Sequence, residues 1–132
     1  MAISEQGELY VWGYKYSKVP AKINFYSKAV DIHGKLILAE DGSVWYLSEN
    51  PSRIAGLQNI VEIASEDNYY SALDTKGQVW VWGYNGYGQL GIGNNRSKYL
   101  PTKMIDDSGE VVKNIKNVEA NGYSSIASVK PY

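Results

Sequence analysis

A glycine followed by a short apolar segment recurs at a fixed interval along this chain of 132 residues. The interval is 35 residues, and it separates Gly7 from Gly42 and Gly42 from Gly77. An aromatic residue stands three positions after each of these glycines. Self-similarity at a fixed period is the signature of repeat architectures, in which each unit buries its apolar surface against the next. The chain is therefore expected to fold as a stack of similar units.

Two further markers follow each glycine in the same order. The first is a proline, any residue, a cation and an apolar residue, found at 20–23, 51–54 and 101–104. The second is a pair of apolar segments, found at 30–32 with 36–39, at 60–64 with 71–73, and at 115–118 with 125–127. We therefore predict one domain, residues 1–132, made of three repeats at about 7–41, 42–76 and 77–130.

The apolar segments have the character of β-strands. They are three to five residues long, rich in Val, Ile, Tyr and Trp, and bounded by Gly, Asn-Gly or Asp-Gly, which is typical of strands and turns. No window keeps the helical spacing of apolar residues for more than about two turns. Strands that are apolar on both faces need cover on both faces, and radial stacking of small sheets supplies it. The sequence predicts an all-β fold built of β-propeller blades.

The most specific string is GQVWVWGYNGYGQLGIG, at residues 77–93. With the proline that follows, it supplies the residues that we interpret as the structural repeat motif: Gly77, Trp82, Gly83, Gly88, Gln89, Leu90, Gly91 and Pro101. Together with Asn85 and Gly93, these residues closely resemble the regulator of chromosome condensation repeat. Repeats one and two keep the strands but lack the glycine-rich loop. The resemblance implies a β-propeller, usually of seven blades, and this chain is similar to the shortened bacterial forms.

Three blades would leave apolar flanks open to solvent, which favours aggregation. The chain could be an excerpt of a longer propeller, its ends could be capped, or several copies could complete a ring. We predict self-association, with two copies in a six-bladed ring as one geometry.

Composition excludes several other functions. The formal net charge is −1, from 13 basic and 14 acidic residues, which offers no field for nucleic acid or a membrane surface. There is no cysteine and His33 is the single histidine, so neither a thiolate site nor a histidine cluster can form. The glycines of GYGQLG match a dinucleotide fingerprint, but no helical pattern follows them. We predict no cofactor, no metal and no catalytic residue, and the compartment stays open.

Carboxylate pairs at 40–41, 66–67 and 106–107 would have to face one another across a cleft to act on a glycoside. We expect them to lie in solvated turns, and we expect His33 at a turn or strand edge.

The residues that we predict to contact a partner lie in or beside the loops that follow the Trp-Gly strand ends. They are Tyr14, Tyr16, Tyr84, Asn85, Tyr87 and Tyr99. Tyrosine in loops is a favoured anchor for protein recognition, although these rings could instead pack between blades. The predicted function is a non-enzymatic scaffold for protein–protein interaction. The alternatives are a carbohydrate-binding or hydrolytic subunit that uses loop carboxylates and tyrosines, and a purely structural part of a longer array.

Overall fold

The computed structural model describes residues 1–13, 18–25, 27–48, 50–66, 68–121 and 124–129. The described residues form thirteen strands and no helix. In chain order the strands are β1 (Ala2–Ile3), β2 (Leu9–Val11), β3 (Ala21–Lys22), β4 (Ala29–His33), β5 (Leu36–Ala39), β6 (Val44–Tyr46), β7 (Ser52–Arg53), β8 (Ile60–Glu66), β9 (Tyr69–Asp74), β10 (Val79–Gly83), β11 (Lys98–Lys103), β12 (Ile115–Asn121) and β13 (Ser124–Val129). Within these residues, no helix is long and apolar enough to span a membrane.

The strands form four antiparallel sheets that follow one another along the chain. The first sheet has the order β1-β2-β3, the second β4-β5-β6-β7, the third β8-β9-β10-β11, and the fourth β12-β13. Contacts run from β1 to β4, from β4 and β5 to β8, and from β8 and β9 to β12. We call β4, β8 and β12 the inner strands, because each begins its sheet and contacts the sheet before it. This arrangement confirms the predicted all-β fold of propeller blades.

The sheets are offset from the repeats by two strands. The strand that follows each repeat glycine is β2, β6 or β10, which is the strand next to the outer edge of its sheet. A unit counted from one glycine to the next therefore completes one sheet and begins the following one. The division at 7–41, 42–76 and 77–130 stays a prediction about sequence units, and the blades themselves are out of phase with it.

The hydrophobic core lies in layers between neighbouring sheets. All four residues of β5 are buried, with Leu36 and Leu38 in the layer toward the third sheet and Ile37 and Ala39 in the layer toward the first. A further layer fills the space between the third and fourth sheets. Alternate residues of one strand thus serve two layers, which explains why these strands are apolar throughout.

Each repeat glycine links its sheet to the next through main-chain atoms. Its carbonyl oxygen accepts a hydrogen bond from the first residue of the next inner strand: Ala29 N to Gly7 O (3.0 Å), Ile60 N to Gly42 O (3.1 Å) and Ile115 N to Gly77 O (3.0 Å). A Cβ on Gly77 would lie 2.7 Å from the amide nitrogen of Asn114, which is closer than real Cβ atoms approach. Glycine is therefore required at this turn, against which the start of the next sheet packs. We call these contacts the glycine links.

Side chains on the inner strands add further bonds between sheets. His33, at the end of β4, accepts a hydrogen bond at Nδ1 from the backbone N–H of Ser65 on β8 (3.0 Å). Glu62 on β8 accepts one at Oε1 from the backbone N–H of Val118 on β12 (3.1 Å). Both side chains thus accept hydrogen bonds from backbone N–H groups of the following sheet, which is a structural role.

Candidate functional site

A pocket lined by aromatic side chains lies between the second and third sheets. Its volume is about 360 Å³, within the range of small binding sites. It lies where β10 ends, where β11 begins and where β8 turns into β9. We call it the tyrosine pocket, and it is lined by Tyr46, Asn68, Tyr70, Trp82, Gly83, Tyr84, Ser97 and Tyr99.

The end of β10 brings the loop against the β8–β9 turn. Gly83 has φ +106°, and a Cβ at this position would overlap the carbonyl oxygen of Asn68. The next residue, Tyr84, donates its backbone N–H to the same carbonyl oxygen (2.7 Å). The close approach that glycine permits thus fixes the direction in which the chain leaves β10. It places Tyr84 on the rim of the pocket.

Three aromatic residues connect the two sheets below the rim. The Trp82 indole Nε1 donates to the Tyr46 hydroxyl (2.7 Å), which joins β10 to β6. Tyr70 stacks on Trp82 with ring centroids 5.5 Å apart and meets Tyr46 edge-on at 5.7 Å. Such geometries are favourable for aromatic pairs beyond the area they bury. Trp82 is buried, so the walls available to a ligand belong mainly to the tyrosines.

Burial raises the pKa of both the Tyr46 and the Tyr70 hydroxyls above the ordinary value for tyrosine. The hydrogen bond from Trp82 partly opposes this rise at Tyr46, whereas ionisation of Tyr46 would add to it at Tyr70. None of the lining residues that the structure describes carries a formal charge at neutral pH. The pocket therefore presents aromatic surfaces and neutral polar groups.

We expect Tyr46 and Tyr70 to ionise later than exposed tyrosines in a titration followed by tyrosinate absorbance. Their folded pKa lies above the unfolded value of about 10, so their contribution to stability is full below that pH and is lost as the pH rises through the folded pKa. Tyr46→Phe and Tyr70→Phe should each remove one late-ionising group. Titration of all tyrosines in a single early step would contradict the assignment.

The structure brings two of the predicted partner-contacting residues into this pocket. Tyr84 and Tyr99 line it, with 45% and 89% of their surfaces exposed. Tyr87 lies outside the lining and packs edge-on against Tyr84 at 6.1 Å. Tyr14 and Tyr16 lie outside the described residues.

The structure corrects the prediction that Asn85 contacts a partner. Its side chain is fully buried and cannot contact a partner. Its amide nitrogen donates to the carbonyl oxygens of Asn94 (2.8 Å) and Arg96 (2.9 Å), and its Oδ1 accepts from the N–H of Leu90 (2.9 Å). The backbone N–H of Asn85 also donates to Ser97 Oγ (3.1 Å). Asn85 thus closes the loop from 85 to 97 upon itself.

The other motif residues are placed in or around the same loop. Leu90 is fully buried in the layer between the third and fourth sheets, and Gln89 accepts a hydrogen bond at Oε1 from the N–H of Tyr87 (2.9 Å). Gly91 lies close to the Met104 side chain. The backbone N–H of Gly91 donates to the carbonyl oxygen of Gly88 (3.1 Å). Pro101 lies on β11, the outer strand of its sheet, where a missing N–H costs no ladder hydrogen bond.

Sequence analysis missed the residues that the second sheet and the β8–β9 turn contribute, chiefly Tyr46, Asn68 and Tyr70. One signal was available for Tyr46. The equivalent position, four residues after the repeat glycine, is valine in the other two repeats, at Val11 and Val81. The equivalent valines are buried in the core, so a tyrosine at this position indicates that the second repeat makes different contacts there.

A second pocket of about 290 Å³ lies around Trp80 and has a polar lining. The Lys103 ammonium covers the Trp80 ring, 5.2 Å from its centroid. The buried Asp74 accepts hydrogen bonds from the N–H groups of Lys76 and Gln78 and from the Trp80 indole. The Asp74 carboxylate of this pocket is thus engaged by three donors.

In two of the three predicted carboxylate pairs an aspartate is held in its own turn, whereas Glu66 of the third ends strand β8. Hydrogen bonds from Ser43 lower the pKa of Asp41, and bonds from Ser108 and the turn backbone lower the pKa of Asp106. Asp67 lies outside the described residues. Among the residues that the structure describes, no group of three or more His, Cys, Asp or Glu side chains could hold a metal ion.

Small antiparallel sheets with cores between them define the chain as a β-propeller protein. Residues 76–127 match the model described as "Regulator of chromosome condensation (RCC1) repeat", and residues 60–89 match a second model with the same description. The chain belongs to the RCC1 repeat family. This confirms the resemblance carried by the string at 77–93.

Similar proteins share the repeat across most of this chain. The mitochondrial RCC1 domain-containing protein RUG3 of Arabidopsis thaliana is 26% identical over 166 residues, covering 96% of this chain and 37% of RUG3. Human WBSCR16 has a similar structure, with TM-score 0.78, 21% identity, and coverage of 98% and 42% of the two chains. Prp20p of Saccharomyces cerevisiae, studied for its binding to Gsp1p and histones, has TM-score 0.71, 16% identity, and coverage of 86% and 34%. The chain spans well under half the length of each.

Proposed function

We propose that this chain is a non-enzymatic β-propeller scaffold that binds a protein partner at the tyrosine pocket. The observation that carries the proposal is the pocket itself, in which aromatic residues of two adjacent sheets converge beneath two exposed tyrosines. Membership of the RCC1 repeat family supports a role in protein interaction. The binding of Gsp1p and histones described for Prp20p supports it at the level of the fold.

The pocket combines a rigid base with accessible anchors. The hydrogen bond between Trp82 and Tyr46 and the stack of Tyr70 on Trp82 hold the base in one geometry. Tyr84 and Tyr99 offer large amphipathic surfaces, and tyrosine loses little conformational entropy on binding. Preorganised aromatic pockets are typical of the centres of protein interfaces. The hydrolytic alternative has less support, because Asp41 and Asp106 are engaged in their own turns.

A random peptide display library tests this proposal without a known partner. We expect selection on the whole chain to enrich peptides whose affinity falls about 30-fold or more in Tyr99→Ala or Tyr84→Ala, the loss typical of a hot-spot residue. Leu100→Ala is the matched control, because Leu100 is the neighbour of Tyr99 on β11, is exposed and does not line the pocket. Equal binding by all three variants would refute the pocket as the interaction site.

We also propose that copies of the chain associate to extend the arc of blades. Two observations support this. Each of the four sheets contacts the next one along the chain, and apolar side chains on or near the first sheet are exposed at Met1, Trp12 and Val19. In a closed propeller each sheet packs between two others, so an arc gains apolar burial by meeting a second copy.

Light scattering of the purified chain at micromolar concentration should give a mass of at least twice 14.7 kDa. Trp12→Asp should lower the measured mass, because a charge at a contact between apolar surfaces opposes association. The mass of a monomer at every concentration would exclude self-association while leaving the tyrosine pocket proposal intact.

A further inference from the structure

We propose that the tyrosine pocket binds a proline-rich peptide segment of its partner in the polyproline II conformation. This inference rests on the proposed function, since it names the chemistry of the ligand that the pocket takes. The charge of the lining, the hydrogen-bonding state of its hydroxyl groups and the dimensions of the site support this class of ligand.

The lining favours a neutral ligand. No charged residue lines the pocket among the residues that the structure describes, and burial keeps the Tyr46 and Tyr70 hydroxyls neutral over a wider range of pH than exposed tyrosines. A cation on these rings would gain a cation–π attraction, but it would lose hydration with no carboxylate among the described lining residues to compensate for it. The neighbours of the lining residues along the chain carry both signs, with Arg96 and Lys98 beside Ser97 and Glu66 two positions before Asn68. The rim therefore does not select for either charge.

The hydroxyl of Tyr46 is poised to donate. Its oxygen accepts the indole N–H of Trp82, and among the described residues its own proton has no acceptor. A hydrogen-bond donor set among aromatic faces fits a ligand that presents bare carbonyl oxygens beside apolar rings. Segments in polyproline II conformation have this character, because they make no internal hydrogen bonds and their prolines lack N–H groups.

The size of the pocket also favours a preformed ligand. A site of about 360 Å³ contacts only a few side chains, so it gains little energy with which to order a flexible peptide. A proline-rich segment is already extended and loses less conformational entropy when it binds. Aromatic-lined grooves recognise such segments in unrelated folds.

The test uses fluorescence anisotropy with the whole chain and three synthetic peptides of equal length. One carries two prolines in the spacing Pro-x-x-Pro, the second has alanine in place of both prolines, and the third carries trimethyl-lysine in their place. We expect the proline peptide to bind at least tenfold more tightly than either of the others. Tyr46→Phe should weaken it severalfold by removing the donor, Tyr99→Ala should weaken it further, and Leu100→Ala should leave it unchanged.

The outcomes separate this inference from the proposed function. Equal affinity for the proline and alanine peptides, preference for trimethyl-lysine, or binding that ignores Tyr99→Ala overturns the inference. If the display library still enriches peptides that depend on the pocket and lack proline, the proposed function stands and only the ligand class is wrong. Because Tyr46→Phe also removes the acceptor of a buried indole, its fold is checked by circular dichroism, and the exposed Tyr99→Ala provides the test that does not depend on the core.

Discussion

Replacing Gly83 by alanine is expected to lower the free energy of unfolding by about 3–5 kcal/mol, through backbone strain and steric overlap. Gly83 has φ +106°, a conformation that side-chain-bearing residues rarely adopt. A Cβ there would also overlap the backbone of Asn68 and crowd the Cα of Tyr69, which lies 2.8 Å from its ideal position. Backbone atoms held in the β9–β10 ladder cannot move aside as a flexible side chain could. The substitution should therefore separate the ends of two paired strands.

Gly13 provides the matched control for this experiment. It occupies the equivalent position in the first repeat, two residues after β2, and has nearly the same backbone angle, φ +103°, yet among the described residues a Cβ there meets nothing within 4 Å. Gly13→Ala should incur only the conformational cost, about 1–2 kcal/mol. Urea unfolding followed by tryptophan fluorescence measures both variants. Equal destabilisation would show that φ alone determines the effect and that the contact with Asn68 contributes nothing.

Asn85→Ala is expected to destabilise the chain by about 3 kcal/mol and to open the loop from 85 to 97. The substitution removes three hydrogen bonds of a fully buried amide, and it leaves the carbonyls of Asn94 and Arg96 and the N–H of Leu90 without this partner. An unsatisfied buried polar group costs about 1–3 kcal/mol. Leu90 anchors the loop in the core, so loosening it should also affect the layer against the fourth sheet.

The control here is Asn95→Ala, an exposed asparagine in the same loop. Its stability should change by about 0.5 kcal/mol or less, as is usual for exposed positions. Limited proteolysis with mass spectrometry of the fragments should show early cleavage within residues 85–97 for Asn85→Ala alone. Protection of this loop in the Asn85 variant would mean that backbone contacts are sufficient to hold it.

Local sequence patterns were enough to predict the strands and the class of fold. Leu36–Ala39 is apolar at every position, and the structure buries all four residues between two layers, as a strand covered on both faces requires. The repeat glycines marked turns correctly. The pattern could not show which residues these glycines contact. The contact of Gly77 with Asn114 joins positions 37 residues apart and depends on how one sheet meets the next.

The candidate site was only half predictable for the same reason. Tyr84 follows from its place in a loop and Tyr99 from its place beside one, but the base of the pocket requires Tyr46 of the second sheet to meet Trp82 of the third. No local periodicity records such a pairing across sheets. Its place in the sequence groups Asn85 with the loop tyrosines, but its side chain is fully buried. Sequence polarity does not show that the loop folds around its own amide.

The glycine links have a consequence for how such a protein can change over time. One part of what joins a sheet to the next is a carbonyl, an N–H group and the absence of a Cβ, and this part does not depend on which side chains surround it. Substitutions elsewhere in a blade therefore leave this main-chain link in place. The link between neighbouring sheets is thus kept by the main chain while the side chains of each blade diversify toward different partners.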